Sequence, residues 1–171
     1  MIDRILSLFV WWGLSLGATA SAQDMATMFA QYAQLDAELK SRSAPVMSTL
    51  RWQRGVTFSK DLPVKDGKST TSLALDLLHP ADSISKPRPL VLFVHGGGWS
   101  RGNRSMGEDF LPLFAGGGAV AGTLSYRLAG EAPYPAALQD VAAAVAWIRA
   151  NADPLGVDPN RIAIWGHSAG A

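Results

Sequence analysis

Gly166-His167-Ser168-Ala169-Gly170 sets a serine between two glycines, directly after the short apolar run Ile162-Ala163-Ile164-Trp165. Such a pattern suits a sharp strand-to-helix turn that lifts a hydroxyl above its sheet, where it can attack a carbonyl carbon. The turn holds its central residue in a strained backbone conformation, and flanking glycines avoid Cβ collisions where chain segments pass closely. The hydroxyl is a weak nucleophile until a base takes its proton. Short matches of this kind also arise by chance, so the preceding strand and a second element must carry the weight.

The second element is His95-Gly96-Gly97-Gly98-Trp99, directly after Leu90-Val91-Leu92-Phe93-Val94. Acyl transfer needs backbone N–H groups already aimed at a developing oxyanion, and glycines let the main chain present them. A phosphate-binding loop would continue into Gly-Lys-Ser/Thr, which is absent.

These motifs need a scaffold. The unbroken apolar run 90–94 predicts a central parallel strand covered on both faces. Ala119–Ser125 predicts a second buried strand, and Arg161–Trp165 the strand that feeds the serine turn. Pro135–Asn151 predicts the longest helix, with Pro135 in its first turn and Leu138, Val141, Val145 and Ile148 along one side. A short helix is expected over Met106–Phe114. Upstream, Arg51–Phe58 and Ser72–Leu78 predict paired strands across the polar turn at Lys65-Asp66-Gly67-Lys68. The second of them reads as partly exposed and ends at His79-Pro80. Strand and helix alternate from residue 90, which argues an α/β architecture with a mostly parallel sheet.

With these elements placed, the chain resembles an α/β-hydrolase serine esterase of the carboxylesterase and hormone-sensitive-lipase-like type, including smaller exported esterases related to feruloyl and acetyl-xylan esterases. The matching residues are His95-Gly96-Gly97-Gly98-Trp99, Ser125-Tyr126-Arg127-Leu128, Pro133 through Val141, and Gly166-His167-Ser168-Ala169-Gly170. The resemblance runs from about Leu73 to Ala171 and covers the N-terminal half of such a fold, ending at the nucleophile elbow. It implies Ser168 as nucleophile, the amides of Gly97, Gly98 and Ala169 as an oxyanion hole, and a small-molecule ester as substrate. It also implies that His95 holds its own loop rather than acting as the base.

Other candidates are weaker. His167 adjoins the serine, but neighbouring side chains on a tight turn diverge. His79, beside a proline at a strand end, is expected to be solvated. Asp140 lies upstream of Ser168, against the chain order serine, acid, histidine, and reads as an ion-pair partner of Arg127 in preference to a triad acid. Trp99 is open to two readings, lining an acyl pocket or packing under its loop. Three scattered histidines and no cysteine give no metal-ligand spacing, and no cofactor is expected.

Composition fits one globular unit: 171 residues, 48% apolar and 17% charged, with a formal charge of +1. That charge gives no footprint for nucleic acid, and the lack of cysteine excludes disulfides. Arg4, the apolar run Ile5–Leu16 and the small residues Gly17–Ala22 have the layout of a secretory signal peptide over 1–22, cleaved near Ala22. Export to the periplasm or medium is therefore expected, with no membrane association after cleavage. Residues 23–50 are expected to hold a helix, Asp24–Arg42, with Met25, Met28, Phe29, Tyr32, Leu35 and Leu39 on its apolar side, and a connector. Residues 51–171 form the half hydrolase domain. In the resembled fold the triad acid and histidine follow the serine. The expectation is that the 171 residues lack both and are inactive alone, the alternative to an exported ester hydrolase being a non-catalytic truncated or decayed fragment.

Overall fold

The computed structural model describes residues 50–80 and 86–171, together with helical positions between 23 and 38. The chain divides into two compact units, Met1–Leu39 and Lys40–Ala171. In the first, the described positions are helical and exposed, and Thr27 Oγ1 donates to Gln23 O one turn back at 2.9 Å. A helix there agrees with the sequence. Its apolar side, and the leader segment through Ala22, lie outside the described residues.

The second unit is built on one five-stranded sheet in the order β1-β2-β4-β3-β5. Strands β1 (Leu50–Pro63) and β2 (Thr70–Pro80) form the antiparallel pair expected from the sequence. Asp66 fixes the turn between them, its carboxylate accepting from the N–H groups of Lys68 and Ser69 at 2.9 and 2.8 Å. Strand β2 meets β4 (Val120–Leu124) antiparallel. Strands β4 and β5 (Val157–Gly166) run parallel to β3 (Arg88–Val94), one on each side of it.

That order dictates where the helices go. Parallel crossovers are right-handed. The chain steps from β3 to β4, then back past β3 to β5, so its two crossovers run in opposite directions and cover opposite faces. The first carries a 3-10 turn (Arg104–Gly107) and helix α1 (Leu111–Gly116). The second carries α2 (Ala136–Ala150) and the single-turn α3 (Ala152–Leu155).

Strand alternation sorts the core accordingly. Leu73, Leu75, Leu77, Leu90, Leu92 and Val94 pack in one layer with Ala144 and Ile148 of α2. Leu78, Phe93 and Ala121 form the other layer with Leu111 and Ala115 of α1. Trp165 closes this second layer edge-on to Phe93 and Phe110, both 5.1 Å away, and to Phe114 at 5.5 Å. Such aromatic pairs each contribute about 0.5–1.5 kcal/mol beyond area burial.

Three elements differ from the sequence reading. Strand β2 is not partly exposed, because α1 covers its second face and every residue from Leu75 to His79 is buried. The helix expected over Met106–Phe114 is split. Asn103 caps a tight turn by accepting from Ser105 N at 2.9 Å, and Pro112 opens a separate helix a turn later. On α2 the buried line is Ala136, Asp140, Ala144 and Ile148, at four-residue intervals. Leu138, two residues from Ala136, lies on the far side of the helix and is exposed, while Val141 and Val145 flank the buried line.

His79 is the fourth difference. It does end β2 beside Pro80, yet it is only 3% exposed, with Nε2 donating to Gln53 Oε1 at 3.2 Å. Burial, with the charge of Arg51 adding to it, lowers its pKa from the ordinary 6.5 to about 4. The fold therefore requires neutral His79, whereas the unfolded chain takes up a proton below pH 6.5. The stabilisation is complete above that value and is lost as pH falls toward about 4, a change of at most about 3 kcal/mol. Urea unfolding measured across pH should show stability dropping through this window. His79→Leu should flatten part of the slope; an identical slope in the variant would refute the assignment.

Candidate active site

Strands β3 and β5 are neighbours with Val94 opposite Gly166. The glycine motif and the serine motif therefore leave the sheet side by side at its carboxyl end, the position where open α/β sheets bind ligands. His167 stays extended (φ −121°, ψ 129°) and donates its N–H to Val94 O at 3.2 Å. Ser168 then turns to φ 53°. A non-glycine residue pays about 1–3 kcal/mol for that conformation and keeps it only where its surroundings enforce it. Residues Ser168–Gly170 form one 3-10 turn, with Gly170 N donating to His167 O at 2.9 Å and Ala171 N to Ser168 O at 3.0 Å.

The enforcement is steric. A Cβ on Gly170 would collide with Val94 O and stand 2.7 Å from His95 O. One on Gly96 would stand 2.8 Å from His167 O and 3.1 Å from Ser168 Cβ. The glycine loop thus lies directly against the serine, whose residue is exposed. Gly97 and Gly98 both take positive φ, 118° and 59°. Gly97 O draws the loop into a tight turn by accepting from Ser100 N at 3.2 Å and Arg101 N at 3.3 Å. Among the described residues, no carbonyl accepts from the N–H of Gly97 or Gly98.

His95 lies beneath this loop and is fully buried. Its Nδ1–H donates to Gly96 O at 2.7 Å, and its ring stacks on Tyr126 with centroids 4.3 Å apart. Burial lowers its pKa, outweighing the opposing pull of the Gly96 bond, so the ring is held neutral. His95 thus braces its own loop, as the resemblance implied. His167 Nδ1 lies 3.1 Å from where a Gly96 Cβ would stand, which turns that ring against the glycine loop.

Asp140 is committed to Arg127. The pair is buried, with Arg127 Nη2 donating to Asp140 Oδ1 at 2.7 Å and Arg127 Nε and N donating to Oδ2 at 3.0 and 2.9 Å. These bonds raise the guanidinium pKa further and leave the carboxylate occupied with positioning the segment after β4. The ion-pair reading holds. Trp99 is 56% exposed with φ 57°, so it does not pack under its loop.

With the geometry in view, the comparisons are specific. Residues 75–171, more than half of the chain, match the model of the family described as BD-FAE. The chain belongs to the BD-FAE family. This BD-FAE chain is 38% identical over 130 residues to esterase LipC of Mycobacterium tuberculosis, covering 75% of itself and 31% of that protein. It is 46% identical over 83 residues to carboxylesterase NlhH of the same species, covering 48% and 26%. Its fold matches the solved structure of esterase Est22 with a TM-score of 0.62 and 29% identity, across 90% of this chain and 45% of that one. The fold is that of α/β-hydrolase esterases. The BD-FAE chain spans about a third of LipC and a quarter of NlhH.

Two supports were missed from sequence. Tyr126 Oη donates to His95 O at 2.8 Å and its ring backs the histidine. A signal existed: Tyr126 follows by two residues the end of β4 at Leu124, which pairs with Val94 at the end of β3, just before His95. Ala129 N donates to Trp99 O at 2.6 Å, tying the glycine loop to the segment after β4, and only tertiary structure brings these two together.

Asp140→Ala would leave Arg127 charged and buried without its partner, a change that costs about 3–5 kcal/mol. Thermal unfolding should register it as a drop of many degrees. A loss below about 1 kcal/mol would mean the pair does not anchor the segment.

Proposed function

We propose that the chain carries the nucleophile half of a serine ester hydrolase. Ser168 attacks the ester carbonyl, and the amides of Gly97, Gly98 and Ala169 receive the oxyanion. The observation that carries this reading is the left-handed Ser168 (φ 53°) exposed against a glycine loop whose Gly97 and Gly98 amides are unspent among the described residues. Strain at a single polar residue beside preset donors is what acyl transfer requires, since donors already in place need no reorganisation as charge develops. The relatives named esterase and carboxylesterase support the ester as substrate. Trp99, exposed at the loop apex, is offered as one wall of the substrate site.

The three histidines of the chain argue for a second component of the site. His79 and His95 are buried and His167 leans on Gly96. None is arranged to take the Ser168 proton, so the base and the acid that orients it come from sequence beyond these 171 residues. The chain alone is then inactive. Residues 1–22 act as a cleaved export signal, and the mature protein works outside the cytoplasm.

Reading the source DNA beyond the codon for Ala171 and expressing the entire open frame tests both parts. The frame should supply an Asp and then a His. Its product should hydrolyse p-nitrophenyl acetate, and Ser168→Ala should lower kcat on the order of 10⁴-fold or more. The 171-residue chain should give the same background rate with and without Ser168→Ala. Equal hydrolysis by the entire product and its Ser168→Ala variant would refute the nucleophile assignment. A stop codon directly after Ala171 would favour the non-catalytic reading.

A further inference from the structure

Asp76 interrupts the apolar run of β2 and is 3% exposed. A buried carboxylate needs partners, and it has them on two other segments. Its Oδ1 accepts from Gly55 N at 2.6 Å, where β1 bulges and its register with β2 shifts. Its Oδ2 accepts from Arg104 Nε at 2.9 Å. Arg104 stands where the glycine loop returns to the body. Its backbone is fixed as well, N–H to Ser125 Oγ at 3.2 Å and C=O from Thr123 Oγ1 at 2.8 Å.

We infer that Arg104, held by the buried Asp76, is a positioning residue for the 95–103 loop. The entry of that loop is held by Tyr126 on His95 O, and its apex by Ala129 on Trp99 O. Arg104 holds the exit. With both ends and the apex fixed, the Gly97 and Gly98 amides have one arrangement rather than several, the preorganisation on which oxyanion stabilisation depends. The inference rests on the reading of that loop as the oxyanion site.

A neighbouring pair serves as an internal comparison. Glu108 accepts from Arg54 Nη1 and Nη2 at 2.7 and 3.0 Å, but the two side chains are 31% and 49% exposed. Water and salt screen that pair. In the Asp76–Arg104 pair the guanidinium is 36% exposed, but the carboxylate is only 4% exposed and is shielded on its own side. The difference lies in that carboxylate: Asp76 ties Arg104 to the backbone of β1 through Gly55 N, whereas Glu108 holds the exposed Arg54 side chain.

Amide hydrogen exchange on the entire open-frame product separates these roles without requiring turnover. Arg104→Gln should speed exchange at residues 97–101 by about tenfold or more, as expected for loss of a charge-assisted bond. Exchange in β3 and β4 should stay as in the parent. Arg104→Lys should recover part of the protection, and Glu108→Gln should leave the loop unchanged. Unaltered loop exchange in Arg104→Gln would overturn the inference, as would a uniform increase that includes β3 and β4. Failure of the esterase reading would appear separately, as hydrolysis by the entire open-frame product that is insensitive to Ser168→Ala.

Discussion

Three backbones cross at Ser168 with no room for a side chain between them, and the site depends on that crossing. The end of β5, the serine turn and the glycine loop approach so closely that a methyl group on Gly96 or Gly170 would overlap a neighbouring carbonyl. A serine at φ 53° is intrinsically unfavourable. It persists because relaxing it would break the hydrogen bond from His167 to Val94 and drive the turn into the glycine loop. The strain is thus maintained by the sheet register that sets Val94 opposite Gly166. Fold and site are connected through that one register.

The glycine loop has its own support, drawn from elements far apart in sequence. His95 and Tyr126 hold it from below, Ala129 at the apex and Arg104 at the exit. Two ion pairs, Asp76–Arg104 with its buried carboxylate and the buried Asp140–Arg127, each fasten a segment that touches this loop. Buried pairs of this kind often add little net stability, and their value lies in penalising every other arrangement. Here the arrangement they favour holds the glycine loop against the exposed Ser168.

Much of this was legible in the sequence because it is local. The apolar runs of β3, β4 and β5, the glycine loop and the serine turn each announce themselves within a few residues. The Arg127–Asp140 pair was legible too, since both residues fall within matched motifs. What escaped was decided at long range. The buried side of α2 runs through Ala136, Asp140 and Ala144 rather than Leu138, because the close approach of sheet and helix favours small side chains over a large apolar one. His79 is buried at the end of β2, where the pairing with β1 brings Gln53, the partner of Leu77 in the register, within hydrogen-bond reach of its Nε2. Asp76 gave a signal, an acid within a leucine-rich strand, but its partner is 28 residues away on a loop.

The central claim is that the strained serine is the reacting group. Treating the entire open-frame product with a fluorophosphonate probe and mapping the adduct by peptide mass spectrometry tests it most directly. The account predicts one stoichiometric adduct on the peptide containing Ser168, abolished by Ser168→Ala. An adduct on a different serine, or labelling that survives that substitution, would contradict it.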